Sequence, residues 1–265
     1  MKLAKVSTII IFVVLANTLF ALDDPDLVLY FPFEKLDGDT AFDQSGKGHN
    51  GKINGKIALV DNGKRDKAAQ FEMNSFIDVN GPDMPPEDIP TDGITLSAWV
   101  KCEKTGQDHG IFNARASDST WLIHPDIRSG GEYRFCLRGD GGVDICDIIT
   151  GAAAWDEWIH YAGTYSKKSG EATLYINGEV IREIDALANV SIASDWELGA
   201  RIGYNIDNER PFTGLMDDFC IWKRALTEEE INVLMEKGPE VLIEGESVSP
   251  IRSLIETWGE IKIKL

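Results

Sequence analysis

Between Leu27 and Trp222 the chain breaks into short runs of alternating apolar and polar residues, most of them bounded by Gly, Asn, Asp or Pro. A period of two buries one face of a strand, and the bounding residues supply turns. The runs Leu27–Phe33, Ala69–Val79, Thr95–Lys101, Tyr133–Arg138, Ile159–Ser166, Ala172–Ile176, Glu179–Ile184, Leu198–Tyr204 and Leu215–Trp222 are predicted as strands. Asn177-Gly178 is the sharpest turn, a two-residue connection of the kind whose backbone twist matches that of a hairpin. The pattern lacks the strand–helix rhythm of an α/β fold. It predicts an all-β chain folded as an antiparallel two-sheet jelly-roll sandwich.

The last run carries two adjacent carboxylates, Asp217 and Asp218. Strict alternation places Asp217 with Phe219 and Ile221, and Met216, Asp218, Cys220 and Trp222 on the other face. A carboxylate sharing a face with Phe and Ile is costly to bury without compensation. Thr227 then precedes Glu230 at capping-box spacing, predicting a short helix that Gly238-Pro239 ends.

A chain of 265 residues suits one large β domain with extras. Residues 1–21 are expected to be a secretory signal: Lys2 and Lys5 precede an apolar stretch, Val6 to Leu15, and Leu19-Phe20-Ala21 supplies a cleavage site. The apolar stretch is too short for a membrane span, and no Cys follows it for lipid attachment. The expected mature protein is exported, to the medium, the periplasm or the cell surface. Losing the two lysines takes the net charge from −18 to about −20, which repels phosphate backbones and makes nucleic acid a poor partner. Cys102, Cys136, Cys146 and Cys220 lack zinc-site spacing and allow three pairings. Glycines at 139, 141 and 142 suggest a hairpin that favours Cys136–Cys146, four unpaired buried thiols being the alternative. The boundaries expected are a domain over 22–240 and a tail over 241–265. In the tail, Ser249-Pro250 opens a helical pattern with Ile251, Leu254, Ile255 and Trp258 on one face.

Five segments in order resemble laminin-G-like (concanavalin A-like) sandwiches of exported bacterial proteins, from Leu27 to about Lys237. LVLYFPFE is followed by D-x-S-G-x-G-x-x-G at Asp43, Ser45, Gly46, Gly48 and Gly51. AAQFEMNSFIDVNG is similar to the next hairpin, with Met73 where the family has Gly. GITLSAWVK, the stretch from Trp158 through Gly178, and GLMDDFCIWKRALTEEEI complete the match. The resemblance implies a glycan- or protein-binding module rather than an enzyme.

It also implies a structural calcium ion, which takes six to eight oxygens from carboxylates, carbonyls and water. If the first and last strands are neighbours, Glu34, Asp43, Gly48, Asn50 and Asp217 are the expected ligands. The alternative is that Asp43 and Asn50 only shape a turn, with Asp217 accepting from backbone amides. Glu183-Ile184-Asp185 is similar to the start of the E-I-D-x-x-E motif of β-glucanases, but Ala186 to Asn189 supply no third carboxylate. An exposed strand face is the expected role, and a divergent glycoside hydrolase the weaker alternative.

Sugars stack their C–H faces on aromatic rings and direct hydroxyls to polar groups at the rim. Trp121, Trp155 and Trp196 fall in predicted loops, and the 104–121 loop adds His109, Asn113 and Arg115. His109, Asn113, Arg115, Trp121 and Trp155 are therefore the expected ligand-binding residues, with carbohydrate or an extracellular protein as partner. Strand residues such as Trp99 and Val100 are assigned to the space between sheets.

Overall fold

The structure, a computed structural model, describes residues 24–243. The expected signal segment and the face carrying Ile251, Leu254, Ile255 and Trp258 lie outside the described residues. In chain order the strands are β1 (Leu27–Phe31), β2 (Leu36–Asp37), β3 (Thr40–Ala41), β4 (Gly51–Asn54), β5 (Ile57–Val60) and β6 (Ala68–Phe71). They continue with β7 (Phe76–Asp78), β8 (Gly93–Cys102), β9 (His109–Gly110), β10 (Phe112–Arg115), β11 (Trp121–Ile127) and β12 (Tyr133–Arg138). The last are β13 (Asp144–Thr150), β14 (Ile159–Ser166), β15 (Glu171–Ile176), β16 (Glu179–Asp185), β17 (Gly199–Ile202) and β18 (Gly214–Trp222). Two helices follow, α1 (Glu228–Lys237) and α2 (Pro239–Ile243). Among the described residues no helix is long and apolar enough to cross a membrane.

Two antiparallel sheets form the sandwich. One runs β16-β15-β14-β8-β18-β6-β5, and the other β13-β12-β11-β10-β17-β7-β4-β3-β2, with β9 paired to β11. Between them lies the main core, including Phe31, Phe71, Phe112, Phe135, Trp196, Phe212 and Phe219, all buried. The sheets approach closely where Gly163 of β14 faces Phe135 of β12: a Cβ at Gly163 would lie 2.4 Å from the ring. A second cluster joins the outer face of the first sheet to α1, through Leu27, Tyr30, Tyr175, Cys220, Trp222, Ile231 and Leu234.

Strand β18 holds the first sheet together. One edge pairs with β8 along its length; the other is shared, Gly214–Met216 with β6 and Phe219–Trp222 with β1. At the changeover the register with β8 shifts between Asp217 and Cys220, and Asp218 takes a φ of 47°. This bulge corrects the alternation expected from sequence. An extra residue resets the faces, so Met216, rather than Asp217, joins Phe219 and Ile221 in the inter-sheet core.

Other expectations change too. The predicted strand over 69–79 is two strands, β6 in the first sheet and β7 in the second. The hairpin that the family resemblance implied there is instead a crossing between sheets, turning where Asn74 has a φ of 64°. The predicted 104–121 loop contains β9 and β10 and ends at the first residue of β11. Trp99 lies outside the core cluster that holds Val100, with the Lys64 ammonium 4.0 Å above its ring. The four cysteines are unpaired and buried. Cys136 sits opposite Asp147, and Cys146 opposite Leu137. One position of offset places the two sulfurs on opposite faces, which forbids the Cys136–Cys146 bridge.

Candidate functional site

Strands β10 to β13 send Phe112, Ile123, Phe135 and Leu137 inward, leaving Asn113, His124, Asp126 and Arg134 on the outer face. The segment after β17 crosses that face. The Ile206 amide donates to Asn113 Oδ1 (3.0 Å), and Trp121 Nε1 donates to Asp207 Oδ2 (3.3 Å). Arg115 Nη1 lies 3.2 Å from the same Asp207 oxygen. Beneath the segment Asn113, His124, Asp126 and Asn205 are fully buried. His124 Nε2 is 2.8 Å from Asp126 Oδ2 but out of line for a hydrogen bond, and Arg134 (3.7 Å) and Arg210 (3.9 Å) complete the charge balance. Burial pushes the His124 pKa down, against the pull of Asp126. The Trp121 ring stacks on His124 at 4.5 Å, with the Arg210 guanidinium 4.7 Å from its centre.

Trp121 also borders an open groove of about 350 Å³, lined by Arg115, Ser119, Thr120, Arg138, Gly142 and Asp144. Cross-strand register forms one wall: Arg138 sits opposite Asp144, and its Nε donates to Asp144 Oδ1 (2.7 Å). Arg115 Nε donates to the Ser119 carbonyl (2.7 Å), bending the β10–β11 turn around the opposite wall. Hydroxyls, guanidinium donors and a carboxylate acceptor thus surround an indole edge. With Asp207 and Asp144 balancing the two arginines, the groove suits neutral, hydroxyl-rich ligands better than strong ions.

Of the expected ligand residues, the structure brings Arg115 and Trp121 to this groove and places Asn113 beneath its neighbourhood. His109 and Trp155 are elsewhere. His109 is fully buried, 6.0 Å from the Trp155 ring and 6.3 Å from Phe212, with Nε2 2.8 Å from Thr105 Oγ1. Burial is the main reason its pKa lies below the usual imidazole value. Trp196 is core, packed on Phe112. Ser119, Thr120, Arg138 and Asp144 were not singled out from sequence; the Arg138–Asp144 pairing was the available signal, once the β12–β13 hairpin register is drawn.

The expected calcium ligands do not converge. Asp43 accepts from the amides of Tyr30, Ser45 and His49 and from Ser45 Oγ, at 2.7–2.9 Å. Asn50 Oδ1 is taken by the Asp43 amide (3.0 Å), and Glu34 Oε1 by the Lys67 amide (3.2 Å). Asp217 accepts from the amides of Arg65 (2.9 Å) and Asp218 (2.8 Å). Gly48, at a φ of 81°, is part of the turn Asp43 organises. Among the described residues no group of three or more His, Cys, Asp or Glu side chains is arranged to hold a metal. The carboxylates of Glu34, Asp43 and Asp217 and the Asn50 amide oxygen each accept from protein donors here and do not gather around one position. Glu183 and Asp185 lie exposed on the edge strand β16, opposite Thr173 and Glu171.

Comparison with known proteins agrees with this architecture. The chain is 23% identical over 180 residues to the pentraxin-related protein PTX3 of Bos taurus, covering 64% of this chain and 44% of that protein. It is 32% identical over 115 residues to the Mus musculus protein of that name, covering 40% and 28%. It thus spans less than half the length of these relatives. Among solved structures, the binding domain of Paraclostridial Mosquitocidal Protein 1 superposes with a TM-score of 0.58 at 20% identity, over 79% of this chain and 52% of that one. The ligand-binding domain of botulinum neurotoxin serotype D, solved with N-acetylneuraminic acid, gives 0.57 at 16% identity, over 80% and 51%. A family model described as the concanavalin A-like lectin/glucanases superfamily matches residues 79–232. With that match over more than half its length, the chain belongs to the concanavalin A-like lectin/glucanase superfamily.

Proposed function

We propose that this protein is an exported, non-catalytic recognition module that binds a neutral, hydroxyl-rich ligand, a carbohydrate, in the groove beside Trp121. The observation that supports it is the lining itself: an indole edge, two hydroxyls, two arginines and a carboxylate around an open groove of about 350 Å³. Such a set exchanges hydrogen bonds with sugar hydroxyls in both directions. The exposed Glu183–Asp185 pair has no such surround, which supports binding without hydrolysis.

Arg138 is the residue to test, because a quarter of its side chain is exposed and its bond to Asp144 is at the surface. Trp121 is a poorer choice, since its ring is built into the His124–Arg210 stack. On a glycan array, Arg138→Ala is expected to weaken binding about tenfold, the loss of about one charge-assisted hydrogen bond, with an unchanged melting temperature. An array that stays silent with the folded parent protein would refute the carbohydrate ligand and leave a protein partner as the target.

A further inference from the structure

We infer that Arg65 is the resident cation of the closing strand, its guanidinium filling an oxygen-lined position of the kind a calcium ion takes, so that the fold closes without metal. The oxygens come from β18 and the last turn of α1. Arg65 Nε donates to Asp218 Oδ2 (2.5 Å), Nη2 to the Leu234 (3.1 Å) and Met235 (2.9 Å) carbonyls, and Nη1 to the Glu236 carbonyl (3.2 Å). The Arg65 amide donates to Asp217 Oδ2. Tyr30 Oη donates within the same cluster, 3.1 Å from Asp218 Oδ1 and 2.6 Å from Glu240 Oε1.

Carboxylates and backbone carbonyls are the ligands calcium prefers. A guanidinium meets the same oxygens with up to five directed donors. The three carbonyls belong to the last turn of α1, where helix carbonyls run out of intrahelical donors and a cation is favoured by the helix dipole; Leu234 also accepts from the capping Gly238 amide (3.0 Å). Gly238 completes the position: it caps α1 at a φ of 90°, and a Cβ there would lie 3.4 Å from Arg65 Nε and 2.7 Å from Glu240 Oε2. The β5–β6 loop reaches in where β18 changes partner from β6 to β1. Arg65 thus ties that loop, the Asp217–Asp218 bulge and the end of α1.

The test is thermal melting of the parent, Arg65→Ala and Asp217→Asn in chelator and in millimolar calcium. The parent is expected to melt at one temperature in both. Arg65→Ala should melt several degrees lower in chelator and regain part of that loss in calcium, as the emptied oxygens take a substitute cation. A parent that melts higher in calcium, with the rise lost in Asp217→Asn, overturns the inference. So does an Arg65→Ala protein as stable as the parent, or one that gains nothing from calcium. If Arg65→Ala does not fold, Arg65→Lys, which keeps the charge but reaches fewer oxygens, should melt lower than the parent and ignore calcium; a calcium-driven rise in that variant overturns the inference equally.

Discussion

The outer face of the eight-stranded sheet buries two groups whose pKa values move in opposite directions. Asp217 is pushed up to about 7, by burial first and then by the neighbouring Asp218, against the amides that donate to it. A raised carboxylate pKa contributes stability that is full below the unfolded value, near 4, and is lost as pH rises towards 7. His160 is pushed down to about 3 by burial and by the nearby Arg65 and Lys64 charges, and its Nε2 faces Ser97 Oγ at 2.8 Å. A lowered imidazole pKa contributes stability that is present above about 6.5 and is lost as pH falls through the acid range. Between pH 4 and 6.5 the two slopes oppose each other. Denaturant midpoints measured across this range should fall more steeply on the acid side in Asp217→Asn and less steeply in His160→Gln. Parallel pH profiles for parent and variants would show that neither group titrates as its surroundings dictate.

Among the elements, α1 was the most legible. Thr227 Oγ1 accepts from the Glu230 amide (3.2 Å) while Glu230 Oε2 accepts from the Thr227 amide (2.8 Å), the reciprocal pair that the spacing predicts. Arg224 holds the same carboxylate at 2.8 Å. Thr227→Ala should cost about 1 kcal/mol of unfolding free energy, read from denaturant titration; no change would mean that Arg224 and the buried Ile231 and Leu234 suffice to start the helix. Strand β11 was least legible. His124, Pro125 and Asp126 interrupt an otherwise apolar run, and no strand is predicted there, because their compensation comes from Arg134, Arg210 and the 203–210 segment. Strand β18 shows the same limit within one element: its existence is plain, whereas its bulge depends on β1 and β6 sharing one edge.

For the molecule as a whole, the sandwich presents its candidate groove on one sheet and packs its helix on the other. The Glu183–Asp185 pair stands on an open edge, with Asp185 opposite another acid, Glu171. Hydrolysis of a glycosidic bond needs an acid and a base placed across the bond. Incubation with laminarin and other β-glucans is therefore expected to release no reducing sugar; release that disappears in Glu183→Gln would overturn the non-catalytic reading.

Period-two alternation, the Asn177-Gly178 turn and the Thr227–Glu230 cap determined the sandwich and its terminal helix from sequence alone, because each acts through neighbours a few residues away. The partners of Asp217, the faces of Cys136 and Cys146 and the division of the expected ligand residues were decided by tertiary structure. Each depends on cross-strand register and on segments distant in the chain: Arg65 lies 152 residues from Asp217, and Asp207 lies 86 from Trp121. A carboxylate looks the same in sequence whether its counter-charge is a metal or a guanidinium. Only the packed chain shows which donor reaches it.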